Sequence, residues 1–73
     1  MKTLAIAGCG KLGKVVVKAM KMGFLPEYTL TATYSRTFES AVDLASEVEG
    51  CTPCRTIGEL VSMKPDYIVE AAS

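Results

Sequence analysis

Three glycines near the amino terminus, Gly8, Gly10 and Gly13, have the spacing G-x-G-x-x-G. They follow a short apolar run at residues 4–7 and precede a segment whose apolar residues recur with helical period. In this order of strand, turn and helix, the motif is typical of a dinucleotide-binding site. The first glycine permits the tight turn, the second lets the backbone approach a pyrophosphate, and the third allows close packing of the helix on the strand. The free N–H groups and the dipole of that helix would then face the phosphates.

Two other interpretations of the glycine segment stay open. One is a joint between strand and helix that is rich in glycine for packing alone. The other is a phosphate-binding P-loop, because Gly8, Gly13 and Lys14 also fit the pattern G-x-x-x-x-G-K. That pattern requires Ser or Thr at the next position to hold Mg²⁺, and this chain has Val15 there. The dinucleotide interpretation is therefore favoured.

A group of three polar residues follows the second predicted strand and comprises Ser35, Arg36 and Thr37. In a dinucleotide site, an Asp or Glu at this position binds the 2′-hydroxyl of NAD, whereas an Arg accommodates the 2′-phosphate of NADP. This chain has no carboxylate at residues 35–37, and the first one after the strand is Glu39. A guanidinium between two hydroxyls suits a phosphate dianion, so NADP is favoured over NAD. The alternative is that Arg36 is an exposed arginine at the start of a helix.

The cysteines are a further candidate site, for redox chemistry, because Cys51 and Cys54 have the spacing C-x-x-C just before a predicted helix. The residues before them are expected to end a helix rather than form a strand, which favours packing over a redox role. A zinc site would need more ligands, because Cys9 is the only other thiol and the chain has no histidine. We therefore predict no metal. Cys9 is expected to be a small residue of the glycine turn, although a helix N-terminus can lower a thiol pKa.

The hydrophobic pattern predicts four strands that alternate with three helices. Strands are expected at residues 4–7, 29–34, 51–54 and 67–71, and helices at residues 11–22, 38–48 and 57–63. Alternation with short connections predicts an α/β fold with the order β-α-β-α-β-α-β, a parallel sheet and right-handed crossovers. With the glycine motif, this is part of a Rossmann-type sheet with strand order 3-2-1-4.

The helices are expected to present defined faces and caps. The first helix has an apolar stripe, which comprises Leu12, Val15, Val16, Ala19 and Met20. Three of its lysines are expected on the opposite, solvated face; they are Lys14, Lys18 and Lys21. The stripe of the second helix comprises Ala41, Leu44, Ala45 and Val48. Thr37 is predicted to cap the second helix, and Thr56 with Glu59 has the form of a capping box for the third.

The composition restricts the class of protein. Eight basic and eight acidic residues leave no net charge, so the basic surface that nucleic acid binding needs is missing. The longest apolar runs fall far short of a membrane span, and no signal peptide is recognisable, so we expect a cytoplasmic protein. With 73 residues, the chain is about half of a typical domain. We expect residues 1–73 to be the N-terminal part of a dinucleotide-binding domain whose substrate domain is absent here.

The segments IAGCGKLG at residues 6–13 and DYIVEAAS at residues 66–73 resemble the N-terminal part of the L-aspartate dehydrogenase family, whose domain is of the homoserine dehydrogenase-like Rossmann type. The resemblance implies two groups of cofactor-binding residues. The pyrophosphate would be held by Gly8, Gly10 and Gly13 with the backbone of Cys9, Lys11 and Leu12. The nicotinamide end would lie beside Ala71, Ala72 and Ser73. Family members often carry Asp at the end of the second strand, and Ser35 with Arg36 departs from that pattern.

The resemblance implies oxidative deamination of L-aspartate, or the reverse amination of oxaloacetate, by hydride transfer with NAD or NADP. The catalytic histidine of that family belongs to its C-terminal region, so no catalytic residue is assigned and the 73-residue chain alone is expected to have no turnover. The alternatives are a homoserine dehydrogenase-like oxidoreductase, a truncated remnant, or a non-catalytic module that binds a nucleotide or forms a homo-oligomer through its sheet edge. The sequence leaves open whether Glu70 faces solvent or the ligand.

Overall fold

Strands and helices alternate along the whole chain in the computed structural model, which describes residues 1–8 and 10–71. The strands are β1 (Lys2–Ala7), β2 (Tyr28–Tyr34), β3 (Thr52–Cys54) and β4 (Tyr67–Glu70). The helices are α1 (Lys11–Lys21), α2 (Phe38–Ala45) and α3 (Ile57–Ser62). The predicted order of elements is confirmed. None of these described helices is long and apolar enough to cross a membrane.

The four strands form one parallel sheet with the order β3-β2-β1-β4, as predicted. Strand β1 therefore lies inside the sheet, between β2 and β4. The chain runs outward from β1 to β3 on one side and then returns to place β4 on the other side of β1. Such a reversal of direction opens a crevice at the carboxyl ends of the strands, which is where ligands bind in open α/β sheets.

Both faces of the sheet are covered, because neighbouring residues of a strand point to opposite faces. On one face, Ile6 packs with residues of α1 and α2, in a buried cluster that comprises Ile6, Val17, Leu30, Leu44 and Ala71. On the other face, Ala5 packs beneath α3, in a cluster that comprises Ala5, Ala32, Cys54 and Leu60. The uninterrupted apolar run of β1 is thus explained by burial on both sides.

The buried face of α1 differs from the predicted stripe. Val17 is only 1% exposed, whereas Leu12 and Val15 are 52% and 61% exposed. The helix is rotated so that Gly13 faces the sheet, and the residues that follow Gly13 at helical spacing, Val16, Val17 and Met20, pack in the core. The predicted stripe is confirmed at Val16 and Met20 but wrong at Leu12 and Val15. Apolar residues cover more than one face of α1, so their periodicity alone does not set its orientation. The lysines of α1 are exposed as predicted, and Lys21 pairs with Glu47 at 3.2 Å.

Helix α2 is shorter than predicted and ends at Ala45 rather than at residue 48. Beyond it, the N–H groups of Glu47 and Val48 donate to carbonyls three residues earlier, at 3.2 and 3.1 Å. Bonds of that spacing tighten the last turn and end the α-helical pattern. Val48 still packs against the core cluster from this turn, so the predicted apolar stripe is present although part of it lies outside the helix.

Of the two predicted caps, one is confirmed and one is wrong in its partner. The Thr56 hydroxyl accepts a hydrogen bond from the Glu59 N–H at 3.1 Å, which is the N-cap bond of the predicted box, while the Glu59 carboxylate accepts from the N–H of the preceding residue, Arg55, at 3.1 Å. Thr37 does occupy the N-cap position of α2, but its hydroxyl lies 2.7 Å from the Ser40 hydroxyl and caps no backbone N–H. A neighbouring hydroxyl has replaced the backbone N–H as partner, which a sequence pattern does not reveal.

A buried hydroxyl links the sheet to α2. Thr33 is fully buried, and its hydroxyl donates to the Ala41 carbonyl at 2.8 Å. A polar group in the core needs such a partner, because an unpaired one costs free energy. This bond holds the start of α2 against β2, close to the residues at the end of that strand.

We predict that Thr33→Val lowers the free energy of unfolding by about 1 kcal/mol, because the valine has the shape of threonine but cannot donate to the Ala41 carbonyl. Thr33→Ser keeps the donor and serves as the matched control for the hydroxyl. Urea denaturation of the three proteins measures the difference. A valine variant as stable as the original chain would show that the bond does not stabilise the fold.

At the opposite edge of the sheet, Asp66 joins the turn before β4 to β1. Its carboxylate accepts from the Thr3 N–H at 2.7 Å and from the Thr3 hydroxyl at 3.3 Å, and its own N–H donates to that hydroxyl oxygen at 2.9 Å. The bond from the Thr3 N–H is the main cause that lowers the pKa of the Asp66 carboxyl, with smaller contributions from the Thr3 hydroxyl and then from the charge of Lys2.

A lowered pKa in the folded state means that ionised Asp66 stabilises the fold above its unfolded pKa, and that this contribution is lost as the pH falls through the folded pKa. We therefore expect Asp66→Asn to lower the thermal midpoint at neutral pH. The gap between the variant and the original chain should close in strong acid, where Asp66 is protonated. Thermal unfolding over this pH range tests the effect, and a gap that does not change with pH would contradict it.

Candidate functional site

A groove of about 650 Å³ opens at the carboxyl end of the sheet, on the face that carries α3. Its volume lies within the range of about 300–1,000 Å³ that is usual for small-molecule sites. It is lined by the ends of three strands, the glycine turn and α3; the lining residues are Ala7, Gly8, Gly10, Tyr34, Ser35, Arg36, Ile57, Val61, Ile68 and Glu70. Residues of the glycine motif and of the polar group after β2, which are far apart in the sequence, therefore meet in one groove.

The glycine turn leaves β1 in a conformation that suits glycine. Gly8 has a φ of +97°, in the left-handed region that residues with a side chain rarely adopt. Its N–H donates to the Tyr34 carbonyl at 2.6 Å, so the pairing of β1 with β2 continues one residue into the turn. Gly10 is extended and is the N-cap of α1. Cys9, which the sequence analysis placed among the backbone donors, lies outside the described residues.

The start of α1 carries positive potential towards the groove. Gly10 offers no side chain to cap the helix, so no side-chain cap holds the first N–H groups among the residues described. The first turn contains Lys11 and Lys14 and no acidic residue. Unpaired N–H groups and the positive end of the helix dipole together favour an anion at this position.

Gly13 lets α1 approach the turn closely. A Cβ atom at this position would lie 3.2 Å from the Gly8 carbonyl oxygen and 3.4 Å from side-chain atoms of Ile6 and Leu44. The first of these distances is shorter than most contacts of real Cβ atoms, and its partner is backbone that cannot move without changing the turn. The close packing expected of the third glycine is therefore present, and it involves the turn as well as the strand.

The polar group after β2 lies on the side of the groove away from β4. Ser35 and Arg36 line the groove, and the Arg36 side chain is exposed. Within residues 1–8 and 10–71, no hydrogen bond or ion pair occupies the Arg36 guanidinium. Thr37 does not line the groove, and its hydroxyl is engaged with Ser40. Two of the three predicted residues thus face the groove with their donors available.

On the other side of β1, Glu70 lines the groove, and its side chain is exposed to solvent there. It lies opposite Ala7 in the parallel register, immediately beside the glycine turn. Ala71 donates its N–H to the Ala7 carbonyl at 2.8 Å, and its side chain is buried in the core cluster. Any contact of Ala71 with a ligand would therefore involve its backbone. The predicted positions Ala72 and Ser73 lie outside the described residues.

The two described cysteines lie on opposite faces of the sheet. Cys51 packs against the core cluster beneath α1 and α2, whereas Cys54 is buried in the cluster beneath α3. Burial raises the pKa of the Cys54 thiol, with a smaller contribution from the charge of Glu59. This arrangement supports packing rather than redox chemistry. In the part of the chain that is described, no three metal-ligating side chains come together.

The sequence analysis did not identify the apolar wall of the groove. Ile57 and Val61 of α3 are 47% and 53% exposed, and Leu60 is the buried residue of that helix. Ile57 and Val61 line the groove together with Ile68 of β4 and give it an apolar surface on which a planar aromatic ligand could pack. The available signal was the length of α3, because a helix of six residues buries few positions and leaves its other apolar side chains exposed.

The parallel order 3-2-1-4, with a glycine turn leaving the inner strand β1, is consistent with a partial Rossmann fold. Comparison with models of known protein families finds no match. Comparison with curated proteins finds similarity along all 73 residues. The chain is 37% identical to an L-aspartate dehydrogenase of Methanocaldococcus jannaschii and 37% identical to an L-aspartate dehydrogenase of Methanococcus maripaludis strain C7.

These matches cover 100% of this chain and 27% of each relative, so the chain spans about a quarter of the length of the curated relatives that it matches. A third relative, from another strain of Methanococcus maripaludis, is 36% identical over the same span. The chain is therefore homologous along its whole length to a portion of L-aspartate dehydrogenases. The resemblance inferred from the two ends of the sequence extends through the residues between them.

The two glycines of the helices provide a test of the close approach at Gly13. Gly13→Ala should lower the free energy of unfolding by about 1 kcal/mol or more, because the new Cβ meets the Gly8 carbonyl. Gly58→Ala in α3 is the matched control, since its Cβ would meet only the Thr56 hydroxyl oxygen at 3.7 Å. That substitution should raise the stability by about 0.5–1 kcal/mol through helix propensity. Equal stabilisation of both variants in thermal denaturation would contradict the account.

Proposed function

We propose that this chain is the cofactor-binding portion of an L-aspartate dehydrogenase that uses NAD or NADP. The observation that carries the proposal is the groove beside the glycine turn, where the uncapped start of α1 meets Arg36 on one side and Glu70 on the other. The homology to a portion of L-aspartate dehydrogenases supports the choice of enzyme. The substrate-binding part of the protein is proposed to lie outside these residues.

The residues present fit a dinucleotide. The pyrophosphate needs N–H donors and a backbone without side chains, and the turn offers both at Gly8, Gly10 and the start of α1. We propose that Gly8, Gly10 and Gly13 hold it with the backbone of Cys9, Lys11 and Leu12. The apolar wall formed by Ile57 and Val61 provides a surface for a planar ring.

The two halves of the cofactor are proposed to extend to the two sides of β1. The adenosine half would extend towards β2, where Ser35, Arg36 and Thr37 follow the strand, and the nicotinamide half towards β4 and Ala71, Ala72 and Ser73. Glu70 stands on the nicotinamide side, where its carboxylate can accept hydrogen bonds from ribose hydroxyls. The bound nicotinamide supplies the hydride acceptor for the oxidation of L-aspartate, and this chain supplies the orientation of the cofactor.

The activity is tested by incubating the full gene product that carries this chain with L-aspartate and either cofactor. We expect reduced cofactor to accumulate, measured by its absorbance, together with the formation of oxaloacetate and ammonia. The reverse reaction should consume reduced cofactor when oxaloacetate and ammonia are supplied. Turnover of homoserine without turnover of L-aspartate would overturn the choice of substrate, and cofactor binding without any turnover would favour a non-catalytic nucleotide-binding module.

The choice of cofactor is tested at Arg36. The guanidinium is exposed in the groove, and a charge-assisted bond to the 2′-phosphate of NADP contributes about 1.5–3 kcal/mol. We expect Arg36→Ala to weaken NADP binding by about ten- to a hundredfold and to change NAD binding little. Ser35→Asp should favour NAD, because a carboxylate repels the phosphate and accepts from the ribose hydroxyls.

Isothermal titration of both cofactors measures these affinities, with Lys18→Ala as the control for the loss of an exposed positive charge from the other end of α1. The control should leave the ratio of NADP to NAD affinity unchanged. If Arg36→Ala also leaves that ratio unchanged, Arg36 is a surface arginine and the preference for NADP is wrong.

A further inference from the structure

The two arginines of the chain stand at the ends of neighbouring strands. Arg36 follows β2, and Arg55 follows β3. Tyr34 pairs with Cys54 in the parallel register, so the residues that come next, Ser35 and Arg55, leave the sheet side by side. Neighbouring strands are about 4.8 Å apart, which places the backbone of Arg55 next to the polar group after β2.

Phe38 holds the Arg55 side chain against the start of α2. The guanidinium carbon of Arg55 lies 3.9 Å from the centre of the Phe38 ring, which is a close cation–π contact. Phe38 is the first residue of α2 and comes two residues after Arg36. The contact therefore places the second guanidinium against the first residue of α2, which directly follows the turn that carries Ser35, Arg36 and Thr37.

The main chain of Arg55 is fixed as well. Its N–H donates to a Glu59 carboxylate oxygen at 3.1 Å, within the capping arrangement at the start of α3. In the described residues, the only ion pair joins Lys21 to Glu47, so no carboxylate neutralises the guanidinium of Arg55. A guanidinium that contacts a ring keeps N–H donors in its plane, and these are the groups that bind phosphate oxygens.

We propose that Arg55 is a specificity-determining residue that binds the 2′-phosphate of NADP together with Arg36, and that Phe38 is its positioning residue. This rests on the proposed function, in which the adenosine half of the cofactor lies over the end of β2. A phosphate monoester carries close to two negative charges at neutral pH, so two guanidinium groups match its charge where one does not. The helix dipole at the start of α2 adds to the positive potential there.

The test is isothermal titration of the full gene product with NADP and with NAD. We expect Arg55→Ala to weaken NADP binding about five- to twentyfold and NAD binding less than about twofold. Phe38→Leu should weaken NADP binding by a smaller factor, about two- to fivefold, because the guanidinium remains but loses its ring contact. Lys18→Ala, which removes a positive charge far from the groove, should leave the ratio of the two affinities unchanged. Arg55→Gln preserves most of the side-chain volume and replaces Arg55→Ala if the alanine variant does not fold.

Each outcome supports or overturns the proposal. A change in the ratio with Arg36→Ala but none with Arg55→Ala would overturn the role of Arg55 and leave the proposed function intact. Equal weakening of NADP and NAD by Arg55→Ala would also overturn it, since the residue would then contact a part that both cofactors share. If the unmodified protein binds neither cofactor, the proposed function and the role of Arg55 both fall.

Discussion

The close approach of α1 to the glycine turn is the constraint on which the rest of the structure depends. The absent Cβ of Gly13 allows the helix to come within contact distance of the Gly8 carbonyl and the Ile6 side chain. This contact sets the rotation of the helix, so that Val17 enters the core and Leu12 remains exposed. It also fixes the position of the uncapped N–H groups of α1 at the groove. One missing side chain thus determines both packing and the chemistry of the groove.

The register of the parallel sheet then assembles the groove from distant parts of the sequence. Pairing of β1 with β2 brings the polar group after β2 beside the turn, and pairing with β4 brings Glu70 to the other side. Pairing of β2 with β3 adds Arg55 next to Ser35. The groove consequently has Arg36 on one side and the Glu70 carboxylate on the other, with the glycine turn between them. That polarity suits a ligand with an anionic group on one half and hydroxyl groups on the other.

The order of the strands was predictable because alternating strands and helices with short connections leave few topologies open. The glycine motif was predictable because each glycine has its own steric reason. The buried face of α1 was not predictable from the sequence, since apolar residues cover more than half of the helix surface. Only the contact at Gly13 determines which of these residues face the sheet. Arg55 was not identified, although the predicted strand order already placed β3 beside β2, because its contact with the Phe38 ring is visible only in the structure. The hydroxyl of Thr37 matched a capping pattern, yet Ser40 offered it a nearer partner.

The central claim is that the N–H groups of the glycine turn and the start of α1 bind the pyrophosphate of a nicotinamide dinucleotide. Titration of the ¹⁵N-labelled protein with NADP, followed by backbone amide chemical shifts, tests it most directly. The account predicts that the largest changes fall on Gly8, Gly10 and the first residues of α1. Gly23 and Gly50, which lie in turns away from the groove, should change little and serve as internal controls. Unchanged amides in the glycine turn at saturating NADP would contradict the claim.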